Sequence, residues 1–250
     1  MTTGHLVLFL AGAFTAAFVS GLSGFAYALV SLAFWIWLFP LAEATPLVLF
    51  GAVVSQAVAV PSVWRTVDWP TLWPMLGASL VCLPLGVWLI AHTDLDVFRL
   101  SFGLLLIVYA TFQLAMGTRL RIDGGGKAAD AAIGAVGGVM GGLAGLTGAV
   151  PAVWGVLRGW DKQRHRGLMT ILNSASQLVA LAMVAVAGYI TATTLLRWAW
   201  MLPCLIIGAW LGNIATRRIS PASFRNVVLG LLLASGMVLT LQNGWRAIAG

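Results

Sequence analysis

The stretch FVSGLSGFAYAL, residues 18–29, interrupts a long apolar segment with two glycines and two serines. A second interruption, GGLAGLTGAVPAV, lies at residues 141–153, where G-L-T-G follows the pattern of the earlier G-L-S-G. Unwound backbone inside a membrane costs several kcal/mol per unsatisfied polar group unless it is buried in protein or lines a wet cavity. We therefore interpret both stretches as functional helix breaks, and they decide the fold that we predict.

The composition indicates an integral membrane protein with several spans. Hydrophobic residues make up 60% of the chain and charged residues 8%, whereas a soluble domain carries about 25% charged residues. The net charge of +7 is typical of basic cytoplasmic loops, and in so apolar a chain it does not indicate nucleic-acid binding. Cys82 and Cys204 lie in apolar runs without ligand spacing, so we expect neither a metal nor a cofactor. No basic region precedes the first apolar run, so we expect that segment to remain in the mature protein.

Charged or Pro/Gly-rich breaks divide the chain into eight apolar stretches. We predict a first membrane repeat, a polar cytoplasmic linker and a second, inverted membrane repeat, at 1–117, 118–130 and 131–250. The eight stretches are 6–39, 45–64, 71–91, 97–117, 131–157, 167–188, 195–212 and 224–242.

Four sequence matches in the same order relate the two halves, which indicates an internal repeat. Their offsets drift only between 121 and 126 residues. The matches are SGLSG (20–24) with AGLTG (144–148), Ser55-Gln56 with Ser176-Gln177, CLPLGVWL (82–89) with CLIIGAWL (204–211), and Phe98-Arg99 with Phe224-Arg225.

The basic residues favour a fold in which the first stretch of each half enters the membrane and returns to the same side. If all eight stretches crossed, the loops of the two sides would hold six and eight basic residues, without bias. With two returning hairpins, three basic residues lie outside and eleven inside, as the positive-inside rule prefers. Each half then has three crossings, so the second half is inverted. The outside set is Arg99, Arg197 and Arg246; the inside set is Arg65, Arg119, Arg121, Lys127, Arg158, Lys162, Arg164, Arg166, Arg217, Arg218 and Arg225.

The length of the first apolar stretch also favours a hairpin. Residues 6–39 as one helix would span about 51 Å, too long for a core of about 30 Å, whereas a central break gives two half-helices of about 25 Å. Two short crossings in place of each hairpin give the same topology and stay open.

The breaks predict a binding site for a small anion. The second half-helices would begin near Gly24 and Gly148, so two positive helix ends could converge, with Ser23 and Thr147 as capping residues. Gln56 and Gln177 occupy matching places beside them. Ser55, Ser176 and Asn173 add further polar groups. No charged side chain lies deep in any stretch on these boundaries, which argues against a salt-bridged site or a carboxylate proton relay.

The two halves, each with a G-L-x-G break, a Ser-Gln step and a G-x-W-L helix, resemble the TauE/SafE family of bacterial permeases, also described as sulfite exporters. The resemblance covers residues 10–242 and implies a multi-pass inner-membrane transporter that exports sulfite, sulfoacetate or a related organosulfur anion. GFAYAL departs from the family's glycine richness after the first break, so Phe25 and Tyr27 could narrow the cavity. The substrate-binding residues that we predict are Ser20, Gly21, Ser23, Gly24, Tyr27, Gln56, Gly145, Thr147, Gly148, Asn173 and Gln177.

Three alternatives stay open: an importer of a similar anion, a membrane scaffold that transports nothing, and an intramembrane serine protease. The protease is the weakest, since G-L-S-G needs a histidine base and His5, His92 and His165 lie at segment ends or in loops. We therefore predict a transporter and not an enzyme. Its expected partners are a small anion and membrane lipid, not nucleic acid, with a homodimer as an open alternative.

Overall fold

The computed structural model describes residues 3–115, 122, 124–215 and seven positions between 229 and 241. This part of the chain is entirely α-helical, apart from turns and one short 3-10 turn at Trp64–Thr66. The helices are α1 (Thr3–Ser23), α2 (Tyr27–Trp35), α3 (Leu41–Val63), α4 (Trp69–His92), α5 (Leu95–Ala115), α6 (Gly126–Ala144), α7 (Ala149–Leu157), α8 (Lys162–Val186) and α9 (Ala192–Ala215).

Five of these helices are long and apolar enough to cross a membrane: α1, α3 with its 3-10 turn, α4, α8 and α9. The all-helical, multi-span class is therefore confirmed. The first seven predicted stretches coincide with α1 to α9 to within a few residues at each end. The eighth stretch, 224–242, lies largely outside the described residues, as do Phe224 and Arg225 of the fourth sequence match.

α1 and α2 form a hairpin that returns to its starting side. Trp35, the last residue of α2, donates its indole N–H to the Phe9 carbonyl oxygen near the start of α1, at 3.1 Å. The Phe9 ring also packs edge-on against Phe39, with 5.7 Å between centroids. At nine residues, or about 14 Å, α2 is too short to cross a core of about 30 Å. The pair is therefore a helical hairpin with one long and one short arm.

α6 and α7 form a second hairpin of the same kind. The Trp154 indole N–H near the end of α7 donates to Asp130 Oδ1 near the start of α6, at 2.8 Å. Beyond the helix ends, the Ile122 N–H donates to the Leu157 carbonyl oxygen at 2.8 Å. α7 also has nine residues, about 14 Å, so the second arm of this hairpin is short as well.

The prediction of two equal half-helices is wrong. α1 has 21 residues and spans about 31 Å, whereas α2 spans about 14 Å. Gly24, with a left-handed φ of 86°, lies close to the middle of residues 6–39. The arms are unequal because α1 already begins at Thr3, whereas α2 begins only at Tyr27 and ends at Trp35, before the end of the apolar stretch.

Each hairpin packs closely against a helix of the other half, because glycines remove side chains from the contact. A Cβ built on Gly86 of α4 would lie 2.1 Å from the Val139 carbonyl oxygen of α6, and one on Gly212 of α9 would lie 2.1 Å from that of Phe18 in α1. α3 and α8 pack against each other between these two pairs. Such close approach of small residues is how membrane helices gain packing energy.

These contacts correct the register of one sequence match. The match of CLPLGVWL with CLIIGAWL aligns Gly86 with Gly208. In the structure, however, the contact of Gly212 with α1 is the one that matches the contact of Gly86 with α6. The shift is four residues, one helical turn, so the same face is presented in both cases.

The basic residues of the described chain separate to the two ends of the helices, as the hairpin topology predicts. Arg197 pairs with Glu43 at 2.6 Å, and Arg99 donates to the Ile36 carbonyl oxygen at 3.1 Å, both beside the start of α3. At the other end of α3, Arg164 pairs with Asp68. Arg99 and Arg197 thus lie at the end of the bundle opposite to Arg164, and the end that carries Arg164 is the one expected to face the cytoplasm.

Candidate functional site

The two breaks meet inside the protein. Gly24 ends α1 and Gly145 ends α6, with φ values of 86° and 73° that favour glycine. A Cβ built on Gly148 would lie 2.8 Å from Cβ of Phe25, so the two hairpin tips are in contact. Because α2 begins at Tyr27 and α7 at Ala149, both helices have their N-terminal ends at this junction. The predicted convergence of the tips is confirmed.

A glutamine from the following helix holds each break. Gln56 donates from Nε2 to the Gly24 carbonyl oxygen at 2.9 Å, and Gln177 donates to that of Gly145 at 3.0 Å. The two residues of each pair are 32 positions apart in both halves. Each bond satisfies a carbonyl that the helix end has left without an intrahelical partner. The glutamines therefore fix the shape of the tips.

The same bonds correct the alignment of the two motifs. Gly24 corresponds to Gly145, an offset of 145 − 24 = 121, whereas matching G-L-S-G with G-L-T-G gives 124. G-L-S-G forms the last turn of α1 and its left-handed end, while G-L-T-G forms the second break itself. Sequence similarity alone was misleading here by three residues.

Ser23 and Thr147 differ in their hydrogen bonds, but neither caps a helix. Ser23 Oγ accepts from the N–H of Ala26 at 3.2 Å and of Phe25 at 3.4 Å, in the turn before α2, and α2 has no side-chain cap, so the prediction that Ser23 caps this helix is wrong. Thr147 makes no capping bond to α7, which corrects the prediction for that residue. Its side chain is fully buried, and Oγ1 has no hydrogen-bond partner within the described chain.

The buried hydroxyl groups, rather than the amides, are the unpaired donors of this region. Asn173 donates Nδ2 to the Met169 carbonyl oxygen at 2.7 Å, and Gln177 donates to both Gly145 and Asn173. Three predicted residues keep hydroxyl groups for which the described structure offers no partner: Ser20, Tyr27 and Thr147. Since a buried unpaired polar atom costs about 1–3 kcal/mol, several beside two helix breaks point to a functional site.

Thr170 of α8 belongs with these residues, and the sequence analysis missed it. Its buried Oγ1 lacks a hydrogen-bond partner in the described chain and lies 2.7 Å from the position of a Cβ on Gly24. It precedes Asn173 by three residues on α8, so helical spacing places both on one face. That spacing was the signal available in the sequence.

The remaining predicted residues pack the tips. Gly148 lies against Asn173, since an added Cβ would be 2.5 Å from Nδ2. Gly21 lets α1 approach α9, where a Cβ would meet the Ala209 carbonyl oxygen at 2.5 Å. The Tyr27 hydroxyl lies over Gly51 of α3, and the glycine leaves room for it. Ser55 bonds back to its own helix, and Ser176 shares a hydrogen bond of 3.0 Å with Ser79.

Charged side chains reach further into the helices than the stretch boundaries indicated. Arg166 of α8 donates from Nη2 to the Gly21 carbonyl oxygen at 3.0 Å, next to the first tip. Asp130 is buried inside α6 on the Trp154 indole. Asp161 caps α8 by accepting from the N–H groups of Gln163 and Arg164, so Arg166 already lies more than one turn inside the helix. An N-cap aspartate before the basic run was the signal for this position.

His165 also lies closer to the first break than the sequence suggested. Its ring packs edge-on against Phe25 with 6.0 Å between centroids, and Nε2 lies 3.1 Å from the Ala152 carbonyl oxygen of α7. Ser23 Oγ instead donates to the Val19 carbonyl oxygen at 2.9 Å. The serine and the histidine are thus hydrogen-bonded to different backbone carbonyls.

Two broken helical segments whose polar tips meet inside a multi-span helical bundle are an arrangement typical of membrane transporters. The sequence profile of the family described as Sulfite exporter TauE/SafE matches residues 8–239, and the chain belongs to this family. It is 28% identical over 188 residues to the probable inner membrane transporter protein TsaS of Comamonas testosteroni, an alignment that covers 73% of this chain and 76% of that protein. No solved structure matches the chain. The protein is a multi-pass protein of the bacterial inner membrane.

Proposed function

We propose that the chain exports a small sulfur oxyanion, such as sulfite or sulfoacetate, through the junction of the two hairpin tips. The observation that carries the proposal is the contact between Phe25 and Gly148, which brings the N-terminal ends of α2 and α7 together. Helix N-termini favour negative charge. The hydroxyl groups of Ser20, Thr147 and Thr170 are additional donors for the oxygens of such an anion.

Export fits the energetics of this substrate class. An anion that leaves a negative cytoplasm gains about 2.3 kcal/mol per charge for 100 mV, so net efflux needs no coupling ion. The family description supports the outward direction. The name of the Comamonas testosteroni relative describes a transporter without giving a direction.

We further propose that the two halves are inverted repeats that alternate access between the two sides. The paired glutamine bonds to Gly24 and Gly145 support this arrangement, as do the two close contacts of α4 with α6 and of α9 with α1. In this account α4, α6 and α7 move as one body against the central pair of α3 and α8. Membrane lipid covers the exposed apolar side chains of α4, among them Val81, Leu85 and Trp88.

We infer that the chain performs no hydrolysis. A serine hydrolase requires the serine hydroxyl within hydrogen-bond reach of a base. Ser23 Oγ donates to Val19, and His165 Nε2 contacts Ala152, so neither group is positioned for the other.

The proposal is tested by anion flux in proteoliposomes of the purified wild-type protein. Vesicles loaded with sulfite or sulfoacetate are given a potassium diffusion potential of either sign, with protein-free vesicles as the control. We expect efflux that accelerates when the interior is negative. Accumulation of external anion against its gradient without a driving potential would favour a coupled importer. No flux of either anion under both potentials would contradict the proposal and favour the scaffold.

A further inference from the structure

Each hairpin tip carries a buried acceptor oxygen that lacks a donor. Gln56 and Gln177 are fully buried, and the Oε1 atom of each has no hydrogen-bond partner within the described residues. The hydrogen bonds fix which amide atom is the oxygen, because only the N–H group can donate to the carbonyl oxygen of Gly24 or Gly145. Each amide therefore uses its donor on the backbone of the tip and leaves its acceptor unpaired in this part of the chain.

The helix ends at the tips also combine acceptors with donors. At the first tip the C-terminal end of α1 lies next to the start of α2, and at the second tip α6 ends where α7 begins. A helix carries about half a positive charge at its N-terminus and about half a negative charge at its C-terminus, so the two partly cancel at each tip. The junction therefore offers backbone N–H groups without a large positive potential.

Hydroxyl groups lie beside the two glutamine acceptors. Thr170 Oγ1 is 2.7 Å from the position of a Cβ on Gly24, and Thr147 follows Gly145 by two residues. A hydroxyl group can donate or accept, whereas the amide Oε1 can only accept. An oxyanion without hydrogen would bind the hydroxyl donors but would leave both Oε1 atoms buried and unpaired, which is the costly arrangement for a polar atom.

We propose that the junction selects oxyanions that carry one negative charge and a hydrogen-bond donor, and that Oε1 of Gln56 or Gln177 accepts from this donor, a requirement that rests on the proposed export function. Hydrogensulfite meets both conditions, because its hydroxyl form donates one hydrogen while its other oxygens accept. The sulfite dianion lacks the donor, as does sulfoacetate, which is also a dianion at neutral pH. Either would bring a second negative charge to a site where the helix ends partly cancel.

Two ionisable side chains near the first tip also act on a bound anion. Arg166 donates to the Gly21 carbonyl oxygen at 3.0 Å, and the His165 ring packs against Phe25 with 6.0 Å between centroids. Their charges affect all monoanions of similar size to a similar extent. A pair of substrates with the same fixed charge therefore separates the effect of the glutamine acceptors from that of these two side chains.

The first test compares isethionate with propane-1-sulfonate, two monoanions of nearly equal size in which a hydroxyl group replaces a methyl group. Potential-driven efflux of each is measured from proteoliposomes of the wild-type protein, with protein-free vesicles as the background. We expect isethionate to leave at least about tenfold faster, because a site that hydrogen-bonds a substrate hydroxyl rejects the analogue without it. Equal rates would overturn the donor requirement and leave the export proposal standing. No flux of these anions or of sulfite would contradict both.

The glutamine variants test whether the amides provide this selectivity. Gln56→Leu and Gln177→Leu also lose a bond that shapes the tip, so the informative quantity is the ratio of the two sulfonate rates. Distortion of a tip slows both anions, whereas loss of Oε1 removes only the advantage of isethionate. We expect the ratio to fall towards one in at least one variant and to stay at the wild-type value in Ser174→Ala, whose hydroxyl bonds within α8. A wild-type ratio in both glutamine variants would overturn the role of the amides.

A pH series applies the same requirement to sulfite. Hydrogensulfite and sulfite interconvert near neutral pH, so the hydrogensulfite fraction falls as the pH rises through this range. We expect the efflux rate at constant total sulfite to follow that fraction, whereas isethionate, which keeps one charge, should leave at a constant rate. A sulfite rate that rises with pH would show that the dianion is transported and would overturn the proposal. Parallel changes for both anions would assign the pH dependence to the protein and likewise contradict it.

A binding measurement does not depend on flux. Thermal unfolding of the full chain in detergent is followed with isethionate or propane-1-sulfonate at equal concentration and ionic strength. We expect a larger rise in Tm with isethionate, because a ligand that binds the folded state more tightly stabilises it more. Equal shifts with the two sulfonates would overturn the donor requirement. A rise in Tm that needs sodium and neither anion would assign the Oε1 atoms to a cation, which prefers oxygen ligands, and would overturn it as well.

Discussion

At the scale of single residues, the breaks are built by a glycine and a glutamine that act together. Gly24 and Gly145 take a backbone conformation that other residues adopt at a cost of about 1–2 kcal/mol. Gln56 and Gln177 then donate hydrogen bonds to the carbonyl oxygens of these glycines, which have no partner within their own helix. Both parts are needed, because a break without the glutamine would bury an unpaired carbonyl.

The first prediction concerns the glutamines. Gln56→Leu and Gln177→Leu should each lower stability by about 1–2 kcal/mol, the value of a strong hydrogen bond between membrane helices. The loss for Gln177→Leu should equal or exceed that for Gln56→Leu, because Gln177 also donates to Asn173 Oδ1 at 3.4 Å. Thermal unfolding in detergent measures the change, with Ser55→Ala as the control because its hydroxyl bonds only to Gly51 of the same helix. A loss confined to one glutamine would contradict the equivalence of the tips.

The second prediction separates backbone strain from crowding at the glycines. Gly24→Ala and Gly145→Ala both strain a left-handed backbone. Each also adds a Cβ in a crowded place, 2.7 Å from Thr170 Oγ1 for Gly24→Ala and 2.7 Å from Val48 Cγ1 for Gly145→Ala. Gly188→Ala is the matched control, since its φ is 82° and nothing lies within 4 Å. We expect the control to lower Tm by about 2–8 °C and the two tip variants to lower it further. Equal shifts in all three would show that the tips are not crowded.

At the scale of helices, the contacts between the two halves depend on the absence of side chains. A Cβ atom added to Gly86 or to Gly212 would lie only 2.1 Å from a carbonyl oxygen of the facing helix. Neither α4 with α6 nor α9 with α1 could approach so closely with larger residues. The hairpins are thereby attached to the opposite half of the chain.

The third prediction tests these contacts. Gly86→Ala and Gly212→Ala should each destabilise the protein by about 1–3 kcal/mol, because backbone atoms must move to accept the methyl group. Gly77→Ala, in α4 with nothing within 4 Å, should be neutral. Unfolding in detergent compares the three variants. Two neutral results at Gly86 and Gly212 would contradict the close packing.

Sequence reasoning predicted the elements better than their registers. The helix breaks, the returning hairpins and the separation of basic residues follow from local signals: glycine, segment length and charge. The pairing of Gly24 with Gly145 could not be predicted, because it depends on which glycine becomes left-handed, and both motifs offer two. Arg166 was missed for a related reason, since hydropathy ends a segment at the first charge while the Asp161 cap starts the helix earlier.

At the scale of the whole molecule, the tips meet in the interior while the two hairpins enter from opposite ends. The start of α1 lies beside Phe39, at the Arg99 and Arg197 end. The start of α6 lies beside the end of α7, where Arg158 donates to the Gly124 carbonyl oxygen at 2.6 Å. A substrate at the junction could thus be reached from either side if the bodies move.

The fourth prediction concerns this motion. Ser79 of α4 and Ser176 of α8 have hydroxyl oxygens 3.0 Å apart, so cysteines at both positions should form a disulfide. The pair is introduced with Cys82→Ser and Cys204→Ser, because both native cysteines are free. We expect oxidation to suppress anion flux and reduction to restore it, with each single cysteine variant unaffected. Full flux in the oxidised protein would contradict the proposed division into moving bodies.

The central claim is that the anion passes through the junction of the tips, and Thr147 tests it most directly. The measurement is the initial rate of potential-driven sulfite efflux from proteoliposomes for the wild type, Thr147→Val and Ser174→Ala. Valine keeps the shape of threonine without its hydroxyl, and Ser174 is a matched control whose hydroxyl bonds only to Thr170 of its own helix. We predict at least about a tenfold lower rate for Thr147→Val, as expected for loss of a hydrogen bond to a charged group, and a wild-type rate for Ser174→Ala. Equal rates in all three proteins would contradict a transport site at the tips.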